Sequence, residues 1–354
     1  MPSNLHATPE SSPPAGPMPL MAPAFLPRRL LLPGLAVLLV LALGHGLLWA
    51  WLAGRMEREL AGWVASRQAL GWQVEHGPAQ RNGWPWAVRL TLPAVRVVEP
   101  GGIGWRSESL ALRLALPWPR QLALAAEGEQ ALLAGAESLP FSAASLTGSV
   151  PLGGAGQPLR LQAEALHAEL RAGPVQLRRA ALVLAEGNAF DLALEGLALP
   201  GLPPAALALG AEVQRLVVQA ALPGPPPPLD GLAPQAAAWR DGGGRLELHA
   251  LDLLWGPVQA GAQGELALDP ALQPTGRLTL ALAGFGEALD ALAAAGVLAP
   301  NNARGLRAVG MMLQRPPAEG GPPRLQLPLV LRGGTLSAAG FTLLRLPPVV
   351  WAAQ

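Results

Sequence analysis

The feature that most constrains this chain is an uncharged apolar run of 22 residues at positions 30–51. A helix of about 20 apolar residues is long enough to cross the hydrocarbon core of a bilayer. Arg28 and Arg29 stand directly before the run, which is the order of a signal peptide or a signal anchor. Because the run is longer than a usual signal-peptide core and no A-x-A cleavage pattern follows it, we predict a transmembrane signal anchor over residues 30–51.

The anchor determines where we expect the rest of the chain to lie. The signal-anchor layout favours an N-terminus inside the cell and a C-terminal domain in the periplasm, held on the bacterial inner membrane by a single span. Arg55, Arg58 and Arg67 follow the span, but long domains are translocated largely regardless of such charges. We therefore expect the lipid bilayer to be a partner of this chain.

The segments on either side of the span have different compositions. Residues 1–29 form a proline-rich tail that we predict to be disordered, because a stretch with eight prolines in its first 27 residues cannot bury a core. Residues 52–71 are predicted to form an amphipathic helix. Its apolar face would carry Met56, Leu60, Trp63 and Leu70.

From residue 72 onward the apolar residues alternate with other residues instead of following a helical period. Leu110, Leu112 and Leu114 are one such series, separated by Ala111 and Arg113. Residues two apart share one face of a strand but not of a helix. The pattern predicts a mainly β protein with a few helices (α+β), in which the transmembrane helix is followed by an extended, mostly antiparallel curved sheet.

Two interruptions divide this pattern. The sequence PGPPPPLDG at residues 223–231 predicts a stiff proline-rich linker between two β-rich regions, 72–222 and 232–354. Whether these regions are separate domains is left open. Two helices are predicted near residues 284–314, with Asn301 or Asn302 as the N-cap. Glycine pairs predict hairpin turns at Gly333 and Gly334 and, in the run GGG, at residues 242–244.

The residues that usually carry catalysis are sparse. Cysteine is absent, which excludes a disulfide framework and thiolate chemistry. The five histidines have no metal-ligand spacing, and no G-x-S-x-G pattern of a serine hydrolase occurs. The net charge is +1 without a basic stripe, which argues against a nucleic-acid partner. We therefore predict no enzymatic activity, no catalytic or metal-binding residues and no cofactor.

The densest aromatic cluster supplies the candidate contact site. Trp84, Pro85 and Trp86 are consecutive, and Trp72 and Trp105 are near them in sequence. One interpretation is a platform for an acyl chain or a partner protein. The other, which we favour, is a turn whose rings close the end of a sheet, because Pro85 fixes φ and tryptophan rings bury much apolar area.

The order of several short motifs is similar to that of a known family. The motifs are GWQV at residues 71–74, NGWPW at residues 82–86, and a C-terminal pattern of strands, two helices and strands that starts with GELALDP at residues 264–270. From residue 30 the chain resembles the bacterial family named domain of unknown function 2125. This resemblance implies one membrane helix and a β-rich exported region. The family has no established activity that could be transferred to this chain.

A looser similarity of architecture connects the chain with AsmA-like envelope proteins, which are implicated in lipid handling. The alternating leucines and the membrane anchor lead us to expect an apolar sheet face that is buried either by the helices or by a ligand, and we favour a lipid or another hydrophobic ligand at the cell envelope. The alternative is a structural or assembly factor that binds another envelope protein through sheet edges or through Trp84 and Trp86.

Overall fold

A computed structural model describes residues 28–135, 137–153, 157–185, 188–224, 233–315, 324–338 and 341–351. The fold divides into two units, residues 1–48 and residues 49–354. The predicted tail lies outside the described residues except for Arg28 and Arg29. Of the predicted proline-rich linker, only Pro223 and Gly224 are described.

The first element is helix α1 (Arg28–Ala69), which is 42 residues long. It contains the predicted span and most of the predicted amphipathic helix without a break. Of the helices that the structure describes, it is the one that is long and apolar enough to span a membrane. Gly71 ends it with a φ of 85°, the left-handed conformation that glycine adopts readily after a helix.

Antiparallel strands make up most of the remaining chain. The strands that precede the proline-rich segment are β1 (Gln73–Glu75), β2 (Gln80–Asn82), β3 (Ala87–Val98), β4 (Ile103–Ala115), β5 (Gln121–Ala134), β6 (Glu137–Ser142), β7 (Ser145–Pro151), β8 (Leu159–Leu170), β9 (Gly173–Leu184), β10 (Ala189–Ala198) and β11 (Glu212–Ala221). A short helix, α2 (Pro204–Leu209), connects β10 to β11.

The second half continues in the same manner with more helix. Its strands are β12 (Arg245–Trp255), β13 (Val258–Leu268), β14 (Pro274–Ala283), β15 (Gln314–Arg315), β16 (Arg324–Arg332), β17 (Thr335–Ala338) and β18 (Phe341–Arg345). Its helices are α3 (Ala233–Asp241) before β12, then α4 (Phe285–Ala294) and α5 (Pro300–Leu313) between β14 and β15.

The strands form one sheet in nearly the order of the chain. β1 and β2 both pair with β3 and act as one interrupted strand, and β6 and β7 fill one position between β5 and β8 in the same way. From β8 to β14 each strand pairs with the next, and β14 then pairs with β16. The predicted fold class is therefore confirmed. Strands β11 and β12, which flank the proline-rich segment, are direct neighbours.

The core shows why the leucines alternate. Leu90, Leu92 and Leu112 are buried in one cluster, against which Met56 and Leu60 of α1 pack. Ala53 of α1 packs in the same way on a neighbouring cluster of β3 and β4 residues. The C-terminal part of α1 therefore covers the apolar face of β3 and β4. The two other residues predicted for the apolar helix face, Trp63 and Leu70, are exposed, so that part of the prediction is wrong.

Three local predictions can be compared with the structure. The turn at Gly333 and Gly334 joins β16 to β17 as a hairpin, as predicted. The glycine run at residues 242–244 is not a hairpin loop, because its N–H groups donate to the last carbonyls of α3 and so end that helix. The predicted cap of α5 is also wrong, since Ala299 is the N-cap and no side chain caps it. Pro300 instead opens the helix.

Candidate functional site

The strands of the sheet run between two ends, and the C-terminal part of helix α1 extends from one end to the other. We call the end where β3 begins at Ala87 the near end and the end where β3 finishes at Val98 the far end. At the near end, the indole N–H of Trp49 donates to the carbonyl of Ala87 over 2.8 Å. At the far end, Gln68 donates to the carbonyl of Val74, a residue paired with β3 there. The C-terminal part of α1 therefore runs along β3 from the near end to the far end.

The predicted aromatic site is divided between these ends. Trp84, Pro85 and Trp86 form the turn between β2 and β3 at the near end, and the peptide bond before Pro85 is cis. Trp72 directly precedes β1, and Trp105 pairs with Val97, so both lie at the far end. At about 3.3 Å per residue, the 12 residues of β3 separate the two groups by roughly 36 Å. Only the three turn residues are brought together.

The two groups also differ in exposure. Trp84 is 62% exposed and Trp86 is 78% exposed. Trp72 and Trp105 are half-buried, and Trp105 packs on the leucine cluster beneath α1. Trp105 thus serves the core, while Trp84 and Trp86 present their rings to the surroundings.

A third exposed tryptophan at the near end was missed from the sequence. Trp118 lies in the connection between β4 and β5 and is 81% exposed. A backbone hydrogen bond of 2.8 Å from the N–H of Leu116 to the carbonyl of Trp86 joins this connection to the Trp84–Trp86 turn. The sequence does contain a signal that could have identified this residue, because Trp118 is followed by proline just as Trp84 is.

Arginines lie beside these turns on the sheet face opposite α1. Arg89 and Arg113 are directly paired across β3 and β4, and Arg113 lies in one cross-strand row with Arg160 of β8. The guanidinium of Arg89 donates to Glu127 over 2.7 Å. These residues line a shallow depression of about 400 Å³, whose floor includes Ala123. The near end therefore combines exposed indole rings with positive charge.

The face covered by α1 continues as an apolar surface across most of the sheet. One cross-strand row on it, which we call the apolar row, contains no polar side chain over twelve strands. It consists of Leu90, Leu112, Leu124, Gly148, Leu161, Leu182, Leu192, Val218, Leu251, Ala262, Leu280 and Leu327.

Burial changes along the apolar row. Leu90 and Leu112 are buried beneath α1, whereas the members from Leu161 to Leu280 are only half-buried. The face is thus covered at one end and accessible over the central strands. On the opposite face charged residues recur, as in the paired positions Glu164, Arg179 and Glu195.

The side chains needed for metal chemistry do not converge in the part of the chain that the structure describes. No group of three or more His, Cys, Asp or Glu residues there could hold a metal ion. Among the described residues, the candidate site therefore consists of an apolar face and an aromatic, basic end.

The chain is similar in sequence to a known family of bacterial proteins. No curated protein and no solved structure matches the chain. A family profile described as "Uncharacterized protein conserved in bacteria (DUF2125)" matches residues 49–347, from the start of the sheet-covering part of α1 to just past β18. Because this match covers well over half of the 354 residues, the chain belongs to the DUF2125 family of bacterial proteins.

Proposed function

We propose that this protein is held in the bacterial inner membrane by the apolar part of α1 and binds an acyl lipid on a periplasmic sheet. The observation that carries the proposal is the apolar row, which is unbroken over twelve strands and only half-buried over the central ones. A surface of this kind in water favours an apolar ligand. The role is one of binding, without catalysis.

The dimensions and chemistry of the face suit an acyl chain. The central strands β8–β12 span about 19 Å at about 4.8 Å per strand, which is comparable to an extended fatty acyl chain. Burial of each methylene contributes about 0.8 kcal/mol, so a chain that contacts even part of this face gains several kcal/mol. A second row, which includes Leu194 and Leu216, lies two residues along the strands and widens the apolar surface.

The topology follows from the order of segments in the sequence. Arg28 and Arg29 precede the apolar run, and the β-rich region follows it, which is the layout of a signal anchor. Protease added to spheroplasts should therefore digest the β-rich region, while the same protease added to intact cells should not. Protection in spheroplasts would place the sheet in the cytoplasm and contradict the periplasmic assignment.

Lipid binding is tested by mass spectrometry of lipids that co-purify with the detergent-solubilised protein, against an empty-vector preparation. We expect a stoichiometric acyl lipid in the wild type and its loss in Leu182→Gln. The matched control is Val183→Gln, the next residue of β9, which lies between Arg160 and Asp191 on the opposite face. Equal lipid content in both variants, or no enriched lipid in the wild type, would contradict the proposal.

A second candidate function is an assembly factor for another envelope protein. It is favoured by strand β18, which pairs with β17 on one side and with no strand on its other side among the described residues. An open strand edge can accept a strand from a partner. In-cell crosslinking would support this role if Trp84→Ala combined with Trp86→Ala, or a proline in β18, abolished one specific crosslinked product while the lipid content stayed unchanged.

A further inference from the structure

Three tryptophans at the near end expose large rings on one small part of the surface. Trp84, Trp86 and Trp118 are 62%, 78% and 81% exposed, and the backbone bond between Leu116 and Trp86 joins their two turns. We call Trp84, Trp86 and Trp118 the near-end surface. An indole ring buries much apolar area when it is covered and carries an N–H that remains hydrated at a membrane interface. Tryptophan is accordingly enriched at that interface.

The near-end surface lies where the chain enters the sheet unit from the apolar run. Trp49 is the first residue of that unit, and its indole donates to the carbonyl of Ala87, the residue directly after Trp86. The apolar run is covalently joined to this point. If the run crosses a bilayer, the bilayer surface therefore lies beside the Trp84–Trp86 turn. Trp51, two residues after Trp49 on α1, is 54% exposed and adds a fourth exposed indole ring close to this junction.

The charges around the near-end surface favour an anionic bilayer. Arg81 pairs with Glu57, and Arg89 pairs with Glu127. Three further arginines in this region form no ion pair with any residue that the structure describes: Arg113 near the end of β4, Arg120 in the connection that holds Trp118, and Arg160 at the start of β8. This excess of positive charge attracts the phosphates of anionic lipids.

We propose that the near-end surface lies in the headgroup region of the bilayer that α1 enters. Trp84, Trp86 and Trp118 insert their rings at the interface, and Arg113 and Arg120 contact lipid phosphates. The inference rests on the membrane anchoring in the proposed function, and it adds a second, independent contact with the same membrane. A protein partner would also cover exposed rings, but the covalent entry of the apolar run at this end favours lipid.

The absence of cysteine makes a site-specific test possible. Single cysteines are introduced in the full chain as Trp86→Cys, Trp118→Cys, Val40→Cys in the apolar run and Arg171→Cys in the far-end turn between β8 and β9. Each is labelled with an environment-sensitive nitrobenzoxadiazole dye in vesicles of phosphatidylethanolamine and phosphatidylglycerol. Lipids that carry a nitroxide quencher on the headgroup or deep in the acyl chain then report the depth of each dye.

The inference and the anchoring give separable results. We expect the dye at Val40 to be quenched by the deep nitroxide, the dyes at Trp86 and Trp118 to be blue-shifted and quenched by the headgroup nitroxide, and the dye at Arg171 to be affected by neither. Deep quenching at Val40 with water-like emission at Trp86 and Trp118 would overturn the inference and leave the anchoring intact. Water-like emission at Val40 would overturn the anchoring itself and the inference with it.

A second measurement separates lipid from protein contact. In whole cells, a water-soluble maleimide should label Arg171→Cys readily and Trp118→Cys poorly. In the purified vesicles, the same poor labelling of Trp118→Cys should persist, because lipid alone covers the position. Protection in cells with full labelling in vesicles would show that a protein covers the surface, which would overturn the inference. The two tryptophan variants each retain two of the three tryptophans, the other two variants retain all three, and the exposed positions chosen leave the core unchanged.

Discussion

Arg81 donates two hydrogen bonds to Glu57, from Nε to Oε1 over 2.6 Å and from Nη2 to Oε2 over 2.5 Å. Glu57 belongs to α1 and Arg81 to the edge strand β2, so this bidentate pair connects the helix to the edge of the sheet that it covers. The hydrogen bonds to Glu57 raise the pKa of Arg81 further above its usual value. The pair therefore stays charged throughout the physiological pH range.

Removal of this pair should loosen the edge strand. We expect Arg81→Gln and Glu57→Gln each to lower the thermal midpoint slightly, because the two side chains are 46% and 30% exposed and ion pairs near solvent contribute little. The double variant should be no less stable than the single variants, since the two side chains act as one unit. Differential scanning fluorimetry in detergent measures this. Fully additive losses of thermal midpoint would show that the pair is not an energetic unit. Arg171→Gln, which removes an exposed ion pair in a far-end turn, is the control.

The leucine cluster beneath α1 should be the most sensitive part of the fold. Leu90 has no exposed surface and contacts the cluster on which Met56 and Leu60 pack. We expect Leu90→Ala to lower the free energy of unfolding by about 2–5 kcal/mol, through lost burial and the cavity that remains. Leu170→Ala in β8, where the side chain is 41% exposed, should change it by less than about 1 kcal/mol. Denaturant titration measures the free energy of unfolding of both variants. Similar losses in Leu90→Ala and Leu170→Ala would contradict the packing of Leu90 beneath α1.

The hydrogen bond of Trp49 should stabilise the junction between α1 and β3. Trp49→Phe keeps an aromatic ring at this position but removes the donor to the carbonyl of Ala87, so we expect the lost hydrogen bond to lower the free energy of unfolding by about 0.5–1.5 kcal/mol. Trp51→Phe, at an exposed ring close by, is the matched control and should have a smaller effect on unfolding. Hydrogen exchange at the start of β3 should rise in Trp49→Phe alone. Unchanged exchange there would mean that the bond does not hold the junction.

Two turn glycines with nearly the same φ allow backbone strain to be separated from steric clash. Gly256 has a φ of 55° and Gly333 a φ of 54°, but a Cβ at Gly256 would collide with the carbonyl oxygen of Leu209, whereas a Cβ at Gly333 would meet nothing within 4 Å. Gly333→Ala should therefore cost only the left-handed strain of about 1–2 kcal/mol. Gly256→Ala should cost clearly more in the same denaturation experiment. Equal costs would indicate that the α2 segment near Leu209 moves away freely.

The sheet could be predicted from the sequence because its signal is local. The alternation at Leu110, Leu112 and Leu114 reflects one buried face, and that face is decided within a single strand. The register between distant strands could not be predicted in this way. The apolar row requires twelve strands to align, and each alignment depends on turn lengths and on bulges such as the one between Ser107 and Ser109.

The candidate site was harder to predict for a related reason. Trp72 and Trp84 are close in sequence but lie at opposite ends of the sheet, because β1 and β2 extend along β3 between them. Trp118 is distant in sequence from Trp84 but adjacent in the fold, since one hairpin returns the chain to the same end. The glycine run at residues 242–244 was misassigned because glycine ends helices and opens hairpins alike, and the short helix α3 before it was not recognised.

The strand order has a consequence for how such a protein could change in size. From β9 to β13 every strand pairs only with the strands directly before and after it in the chain, so a hairpin can be inserted or deleted without rethreading any other strand. Each added hairpin would lengthen the sheet by about 10 Å and return the chain to the end from which it started. A version of this sheet with an added or removed hairpin would therefore differ in reach by that hairpin alone, while the entry point at Trp49 stays the same.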